Sequence, residues 1–268
     1  METNKYIIDF YSNYDEDNRL TSKHGQVEFL TTMRYIEKYI KEGDRVLEIG
    51  AATGRYSHAL ARKGYKVDAI ELVEHNIEIF RKNTLPTENI SVWQGNALDL
   101  SDIPDNQYDV TLLLGPLYHL YTAEDKHQAL SEAIRVTKHG GVIFVAYVIS
   151  DVAVLEEGFY RKKFSIAEYI ENGLLDSKTF ATRSEPKELF ELVRKEDIDK
   201  LMSSFPTKRL HYVALNGLSQ LLRETIDNLD DETFDLYLKY HFAICEREDM
   251  VGFTSHALDV FRKNSLQQ

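Results

Sequence analysis

Apolar residues fall along this chain in short unbroken runs, set apart by stretches in which they recur at helical spacing. Arg45 to Ile49, Lys66 to Leu72, Ile90 to Trp93, Asp109 to Leu114 and Val142 to Val148 read as five strands. Tyr56 to Arg62, Glu74 to Asn83 and Ala123 to Val136 read as the helices between them, and Gly64 stops the first of these. Ahead of the first strand, Phe29, Leu30, Met33, Ile36 and Ile40 form a helical stripe that ends near Gly43. Strands that are apolar throughout and alternate with helices predict a parallel sheet buried on both faces.

Right-handed crossovers turn that alternation into an α/β, doubly wound, Rossmann-like sheet. After Ile149 the rhythm changes. A helical stretch carries Ile166, Tyr169, Ile170 and Leu174, a short strand is expected within Lys187 to Val193, and a helix over Asp197 to Ser204. Arg209 to Leu215 reads as a further strand, Asp231 to Glu246 as a long helix, and Ala257 to Phe261 as a last edge strand. With these the mostly parallel sheet is expected to have seven strands. No Pro/Gly/Ser linker separates this half, so it is expected to complete the same domain. The expected organisation is an N-terminal lid segment over 1–35, a Rossmann-like core over 36–150, an inserted helical lid or substrate segment over 151–187, and completing strands and helices over 188–268.

Composition narrows the class. The 268 residues are 43% hydrophobic and 28% charged, with 13 Gly and 5 Pro, which excludes disordered, collagenous and disulfide-scaffold chains. Lys and Arg number 32 against 44 Asp and Glu, a net charge of −12. A phosphate-binding surface needs a basic field, so neither nucleic acid nor a membrane surface is an expected partner. The single Cys245 cannot form an internal disulfide and fits a reducing compartment. The start lacks an apolar signal core, and the longest apolar run, Val142 to Ile149, is far short of the roughly 20 residues of a membrane span. The expected location is the cytoplasm.

The segment Val46 to Tyr56 carries the chemistry. A strand bearing Glu48 ends in Gly50-Ala51-Ala52-Thr53-Gly54, and a helix opens directly after it. Small residues at such a turn let a ligand approach the backbone, and the helix start offers unpaired N–H donors. Glu71 follows 21 residues after Gly50, at the end of the second strand, where a carboxylate can accept from both hydroxyls of a ribose. Turn and carboxylate together point to a nucleoside-bearing cofactor. A pyrophosphate would be repelled by Glu48, whereas an ammonium and a sulfonium would be welcomed.

These residues resemble the motifs of class I S-adenosylmethionine-dependent methyltransferases. Val46 to Tyr56 is similar to their first motif and Glu71-Leu72 to their acidic second one. Gln94 to Asp99 resembles the loop after strand three, Tyr108 to Gly115 the fourth motif, and Arg135 to Gly141 the glycine turn before strand five. Two positions depart from the pattern: Ala52 stands where many members have glycine, and Asn96 where aspartate is frequent. The resemblance implies S-adenosyl-L-methionine as cofactor. Glu48, Gly50 and Ala51 would hold its methionine end, Glu71 the ribose, Leu72 and Ala97 the adenine faces, and Asn96 the exocyclic amine. Leu114 would approach the methionine part by its backbone, and Tyr14 would close over the cofactor.

Methyl transfer from a sulfonium needs chiefly in-line positioning and exclusion of water. His119, just beyond the fourth strand, is the candidate catalytic base, for which a near-neutral pKa would suit; its alternative role is to shape the loop by hydrogen bonding. Tyr118 ranks below it, and Arg19 and His24 are further substrate-side candidates that more often form ion pairs. Nine aromatics of the two lid segments (Tyr6, Phe10, Tyr11, Tyr14, Phe159, Tyr160, Phe164, Tyr169, Phe180) would line an acceptor pocket or pack the lid down. Cys245 is expected in the core, and Asp227 to Glu232 as a charged helix start with no metal. The expected activity is methyl transfer to a small-molecule acceptor. The alternatives are a methyltransferase acting on RNA or protein, an NAD-dependent oxidoreductase on a similar fold, and a non-catalytic binder.

Overall fold

The computed structural model describes residues 2–265, so Met1 and residues 266–268 of the expected terminal segments lie outside the described residues. Among the described residues the chain opens with a helix the sequence did not predict, α1 (Glu2–Tyr11), and then alternates as predicted: α2 (Lys23–Glu37), β1 (Arg45–Ile49), α3 (Arg55–Arg62), β2 (Lys66–Glu71), α4 (Glu74–Asn83), β3 (Ile90–Gln94), β4 (Tyr108–Leu113), α5 (Ala123–Val136) and β5 (Thr137–Ile149). The second half holds α6 (Ser150–Ala153), α7 (Ile166–Glu171), β6 (Leu192–Val193), α8 (Lys195–Met202), β7 (Thr207–Ala214), α9 (Arg223–Asp227), α10 (Asp231–Ile244) and β8 (His256–Lys263). Helix starts are fixed by side chains that accept from otherwise unpaired amides: Ser22 from Gly25, Thr122 from Asp125, Asp230 from Thr233.

The sheet runs β3-β2-β1-β4-β5-β8-β7, with β6 paired to β5 off this path. The first five strands are parallel, and β8 lies antiparallel to both β5 and β7. That gives the seven-stranded path and adds β6 as a short eighth strand. The last strand is not an edge: β8 sits between β5 and β7, and the edge is β7. Ala257, Leu258, Asp259, Val260 and Phe261 are all buried, so both faces of the strand are covered as in an interior strand, with the Asp259 carboxylate paired to Arg209. The expected strand over Lys187 to Val193 is reduced to Leu192–Val193, because Pro186–Glu188 turns as a short 3₁₀ helix instead.

Side chains alternate across the sheet with period two, which divides the core in two. Val46, Val67, Val110 and Phe144 pack on the face that α2 and α3 cover, against Met33, Ile36 and Leu60. Leu47, Ile49, Ile143 and Val145 pack on the other, against Ala129, Leu130 and Ala133 of α5 and Ile198 of α8. Glu48, two residues from Val46, therefore projects from the α2/α3 face and Leu47 from the α5 face. Cys245 is buried at the end of α10, where it meets the Tyr35 hydroxyl at 3.5 Å. After α6 the chain makes a π-helical turn, Val154–Tyr160, whose buried Glu156 pairs with Arg161 and Arg223. Among the described residues no helix is long and apolar enough to cross a membrane.

Candidate functional site

A cavity opens at the carboxyl ends of β1, β2 and β4, where the strand order reverses and ligands of open α/β sheets bind. The turn after β1 is set by two glycines. Gly50 sits at φ +72°, and a Cβ there would lie 2.7 Å from the Pro116 ring. Gly54 sits at φ +88°, and a Cβ would meet the buried Phe80 ring at 2.4 Å. At Gly50 the bare backbone lines the cavity, and at Gly54 it lets Phe80 pack against the start of α3. The amides of Gly50 and Ala51 both donate to the Ile70 carbonyl, at 2.8 and 3.0 Å, tying the turn to β2. Ala52 adopts φ +48°, a left-handed conformation that its Cβ resists.

Two buried carboxyls bracket this turn. Glu48 accepts from the Ser57 amide at 3.0 Å and from the Ser57 hydroxyl, both at Oε2. Burial, reinforced by the charge of Glu71, pushes its carboxyl up to about 8. Glu71 accepts from the Ala52 amide at 2.8 Å, the Val73 amide at 2.9 Å and the Asn76 side chain at 3.4 Å. Burial outweighs those bonds and raises this carboxyl too. Four carboxyl side chains line the cavity (Glu16, Asp17, Glu48, Glu71) against two guanidinium groups (Arg19, Arg55). Arg19 is already held by Glu16 at 2.8 Å and Glu28 at 3.0 Å. A positively charged ligand would restore the ionised form of Glu48, because an adjacent opposite charge favours it.

Every cofactor-side residue anticipated from sequence other than Tyr14 lines this cavity: Glu48, Gly50, Ala51, Glu71, Leu72, Asn96, Ala97 and Leu114. Asn96 Oδ1 accepts from the Leu98 amide at 3.0 Å, which fixes its side chain and leaves a second lone pair on the oxygen. Next to Glu71, Asn76 Oδ1 is buried without a hydrogen-bond partner among the described residues. An acceptor stranded inside a cavity, beside a carboxylate, suits the hydroxyls of a ribose. The donor set therefore fits a nucleoside with a cationic amino-acid arm.

The other end of the cavity is aromatic. Tyr11, Tyr118 and His119 line it together with Arg19. His119 Nδ1 lies 2.8 Å from the Leu189 carbonyl, and since a carbonyl only accepts, this nitrogen carries the proton. Nε2 is then the acceptor, and the Tyr11 hydroxyl donates to it across 3.1 Å. Burial pushes the imidazole down to about 4 and lifts the Tyr11 phenol. The expectation of a near-neutral His119 is corrected on this point: the ring is neutral at physiological pH, and both its nitrogens are engaged.

Tyr14 is placed elsewhere. It stacks on Phe10 with centroids 4.9 Å apart, is 39% exposed, and does not line the cavity. Of the nine lid aromatics only Tyr11 does so, and no residue of 151–187 contributes to the lining. In that segment Phe164 and Tyr169 stack on each other at 4.1 Å. His24 pairs with Asp227 at 2.7 Å away from the cavity. The residues that sequence reading ranked low or missed are Arg19, Tyr11, Asn76 and Arg55. The helical spacing of α1 was the available signal for Tyr11, whereas Arg19 lies in the connection between α1 and α2, where no periodicity marks it. Among the described residues no cluster of His, Cys, Asp or Glu could hold a metal.

Residues 47–145 match the family model described as "Methyltransferase domain". A Methanocaldococcus jannaschii protein named for ribosomal RNA large-subunit methylation is 35% identical over 105 residues, 36% of this chain and 26% of that one. The glycine/sarcosine N-methyltransferase of Aphanothece halophytica is 26% identical over 184 residues, 64% of this chain and 67% of that one. A crystal structure of a SAM-dependent methyltransferase from Methanosarcina mazei superposes with a TM-score of 0.57 at 17% identity, covering 87% of this chain and 98% of that chain. The chain spans about a quarter to a third of the length of the first curated relatives it matches.

Proposed function

We propose that the chain is a class I S-adenosylmethionine-dependent methyltransferase that uses S-adenosyl-L-methionine to methylate a small-molecule acceptor, a reading supported by the methyltransferase-domain match over residues 47–145 and by the relatives named above. The observation that carries this reading is the pair of buried carboxyls, Glu48 and Glu71, facing a cavity in which acidic groups outnumber basic ones. When bound, the cofactor would supply an activated methyl on a sulfonium, open to in-line transfer. Glu48 holds the ammonium of the methionine arm and the Gly50–Ala51 backbone lies against it. Glu71 and Asn76 take the ribose hydroxyls, Leu72 and Ala97 cover the adenine faces, and Asn96 takes its amine. Leu114 flanks the methionine part.

On the acceptor side, the residues available to position a substrate are Tyr11, Arg19 and Tyr118. A neutral imidazole that titrates near 4 is a weak base, so early proton removal is not its role. We assign His119 to positioning: it fixes the Tyr11 hydroxyl on one side and the Leu189 carbonyl on the other. The N-terminal segment is the cover of this end, since Asn4, Ile7, Tyr11, Glu16, Asp17, Arg19 and Leu20 all line the cavity.

The acidic lining and the net charge of −12 favour a small or cationic acceptor over RNA. The test has two arms. Calorimetric titration should give saturable binding of S-adenosylmethionine and S-adenosylhomocysteine and none of NAD; the reverse pattern rejects the reading. Methyl-labelled cofactor incubated with cell extract should then place label in the low-molecular-mass fraction. Label that pellets with RNA or protein would replace the small-molecule acceptor with a macromolecular one.

A further inference from the structure

A second cavity, of about 450 Å³, lies on the α5 face of the sheet, enclosed by the end of β5, the start of α5 and α8. That volume is within the usual range for a small-molecule site. Its walls are mainly apolar, with Val148, Ile198 and Leu201 among them, and the one lysine–glutamate pair at its side, Lys126 with Glu191, neutralises itself. Three tyrosines, Tyr118, Tyr121 and Tyr147, interrupt the apolar lining. Tyr147, 3% exposed, and Tyr121 each carry a hydroxyl that is shut off from solvent and has no hydrogen-bond partner among the described residues. A buried hydroxyl left unpaired is costly, and two beside one cavity call for a ligand that pairs with them.

We propose that this second cavity binds a small aromatic molecule bearing a hydrogen-bond-accepting oxygen, such as an aryl ketone, with the hydroxyls of Tyr147 and Tyr121 as its donors. The apolar walls supply affinity for the ring. The two O–H groups supply selectivity, because a ligand without an accepting oxygen leaves them unpaired. The site is separate from the carboxyl-lined cavity and does not rest on methyl transfer. The two share one wall: Tyr118 lines both, and its carbonyl accepts from the Glu191 amide at 2.8 Å.

Fluorine NMR titration with 4-fluoroacetophenone and with its hydrocarbon twin, 4-fluoro-α-methylstyrene, tests this. The native protein should bind the ketone at least tenfold more tightly than the alkene. Tyr147→Phe and Tyr121→Phe keep the rings and remove the hydroxyls. Each should lower that ratio, and the double variant should bring it within about twofold. Leu201→Trp, which fills the cavity, should abolish binding of both probes, while Glu71→Leu in the other cavity should leave them unaffected. Absence of saturable ketone binding, equal affinity for the two probes, a ratio that survives the double substitution, or probes displaced by Glu71→Leu and not by Leu201→Trp would each overturn the proposal. Circular dichroism of every variant confirms that a lost signal is not lost fold, and either single Phe variant suffices if the double one does not fold.

Discussion

The two ends of the carboxyl-lined cavity are built in opposite ways. The end that holds Glu48 and Glu71 comes from one compact stretch of chain, β1 through β2, with Asn76, Asn96 and Ala97 close behind. Its hydrogen bonds are short in sequence: Ala52 to Glu71, Ser57 to Glu48, Val73 to Glu71. The aromatic end joins three distant pieces, since Tyr11 meets His119 across 108 residues and His119 meets Leu189 across 70. One end is thus a local motif that any sequence carrying it will form. The other exists only once the whole chain has folded.

The largest effect expected from breaking this contrast is at Glu71. Leucine there removes the acceptor for the ribose and strands the Ala52 and Val73 amides, each formerly bonded to a charged group worth about 1.5–3 kcal/mol. Affinity for S-adenosylhomocysteine should fall by about 100-fold or more by calorimetry, with little change in any binding at the aromatic end. An unchanged affinity would mean that the nucleoside does not lie over β2.

Glu48 sharpens the comparison through pH. Its carboxyl titrates near 8 without ligand, above its unfolded value, so protonation stabilises the ligand-free fold and that contribution is lost as pH rises through 8. A cationic arm needs the ionised form. Affinity for S-adenosylmethionine should therefore rise about tenfold per pH unit from 6 toward 8 and level off above, with close to one proton released per binding event at pH 7. Calorimetry in buffers of different ionisation enthalpy measures that proton. Glu48→Gln should weaken binding and flatten the profile. A profile equally steep in the variant would assign the proton to another group.

That division also explains what the sequence could reveal. Strand–helix alternation, the Gly50–Gly54 turn and the carboxylates at strand ends are local, so the turn, Glu48 and Glu71 were legible in the residues themselves. Leu72, Asn96, Ala97 and Leu114 came only through the family resemblance; all four, like Glu48 and Glu71, line the cavity. Tyr14 failed because nothing in a run of four N-terminal aromatics says which ring faces inward; that is decided by how α1 docks on Val73 and Leu189 through Ile7. The pKa of His119 was misjudged for a related reason. Its depth depends on Tyr11 and Phe190, which pack beside it from segments far before and far after it in the chain. The last strand lies inside the sheet and not at its edge, because Asp259, the charge that breaks its apolar run, is buried against Arg209 of β7.

At the aromatic end the expected effects are smaller and coupled. Tyr11→Phe and His119→Ala should each lower kcat by about tenfold, with KM for S-adenosylmethionine nearly unchanged, since both residues act on the acceptor side. Because His119 works by holding the Tyr11 hydroxyl, the double variant should be no slower than the worse single one. The wild-type rate profile should show no ionisation near 6.5 that His119→Ala removes, as its imidazole titrates near 4. Multiplicative losses in the double variant would make the two residues independent.

The smallest effect separates the two ends by backbone strain. Ala52 and Leu189 both sit at positive φ, +48° and +68°, where a side chain costs about 1–2 kcal/mol. At Leu189 the side chain is buried against Ile7 and Val73, so its packing offsets the strain and glycine would bring no gain. Ala52 has only a methyl group, part-exposed at the cavity wall, and its amide already bonds to Glu71. Ala52→Gly should keep that bond and relieve the strain, against roughly 0.5–1 kcal/mol of added chain entropy in the unfolded state. The net expectation is a stabilisation of about 0.5 kcal/mol, visible as a Tm rise of about 1–2 °C, with cofactor affinity held or slightly improved. A loss of stability would show that the methyl packs on something the cofactor end needs, and that this end tolerates less change than its local build implies.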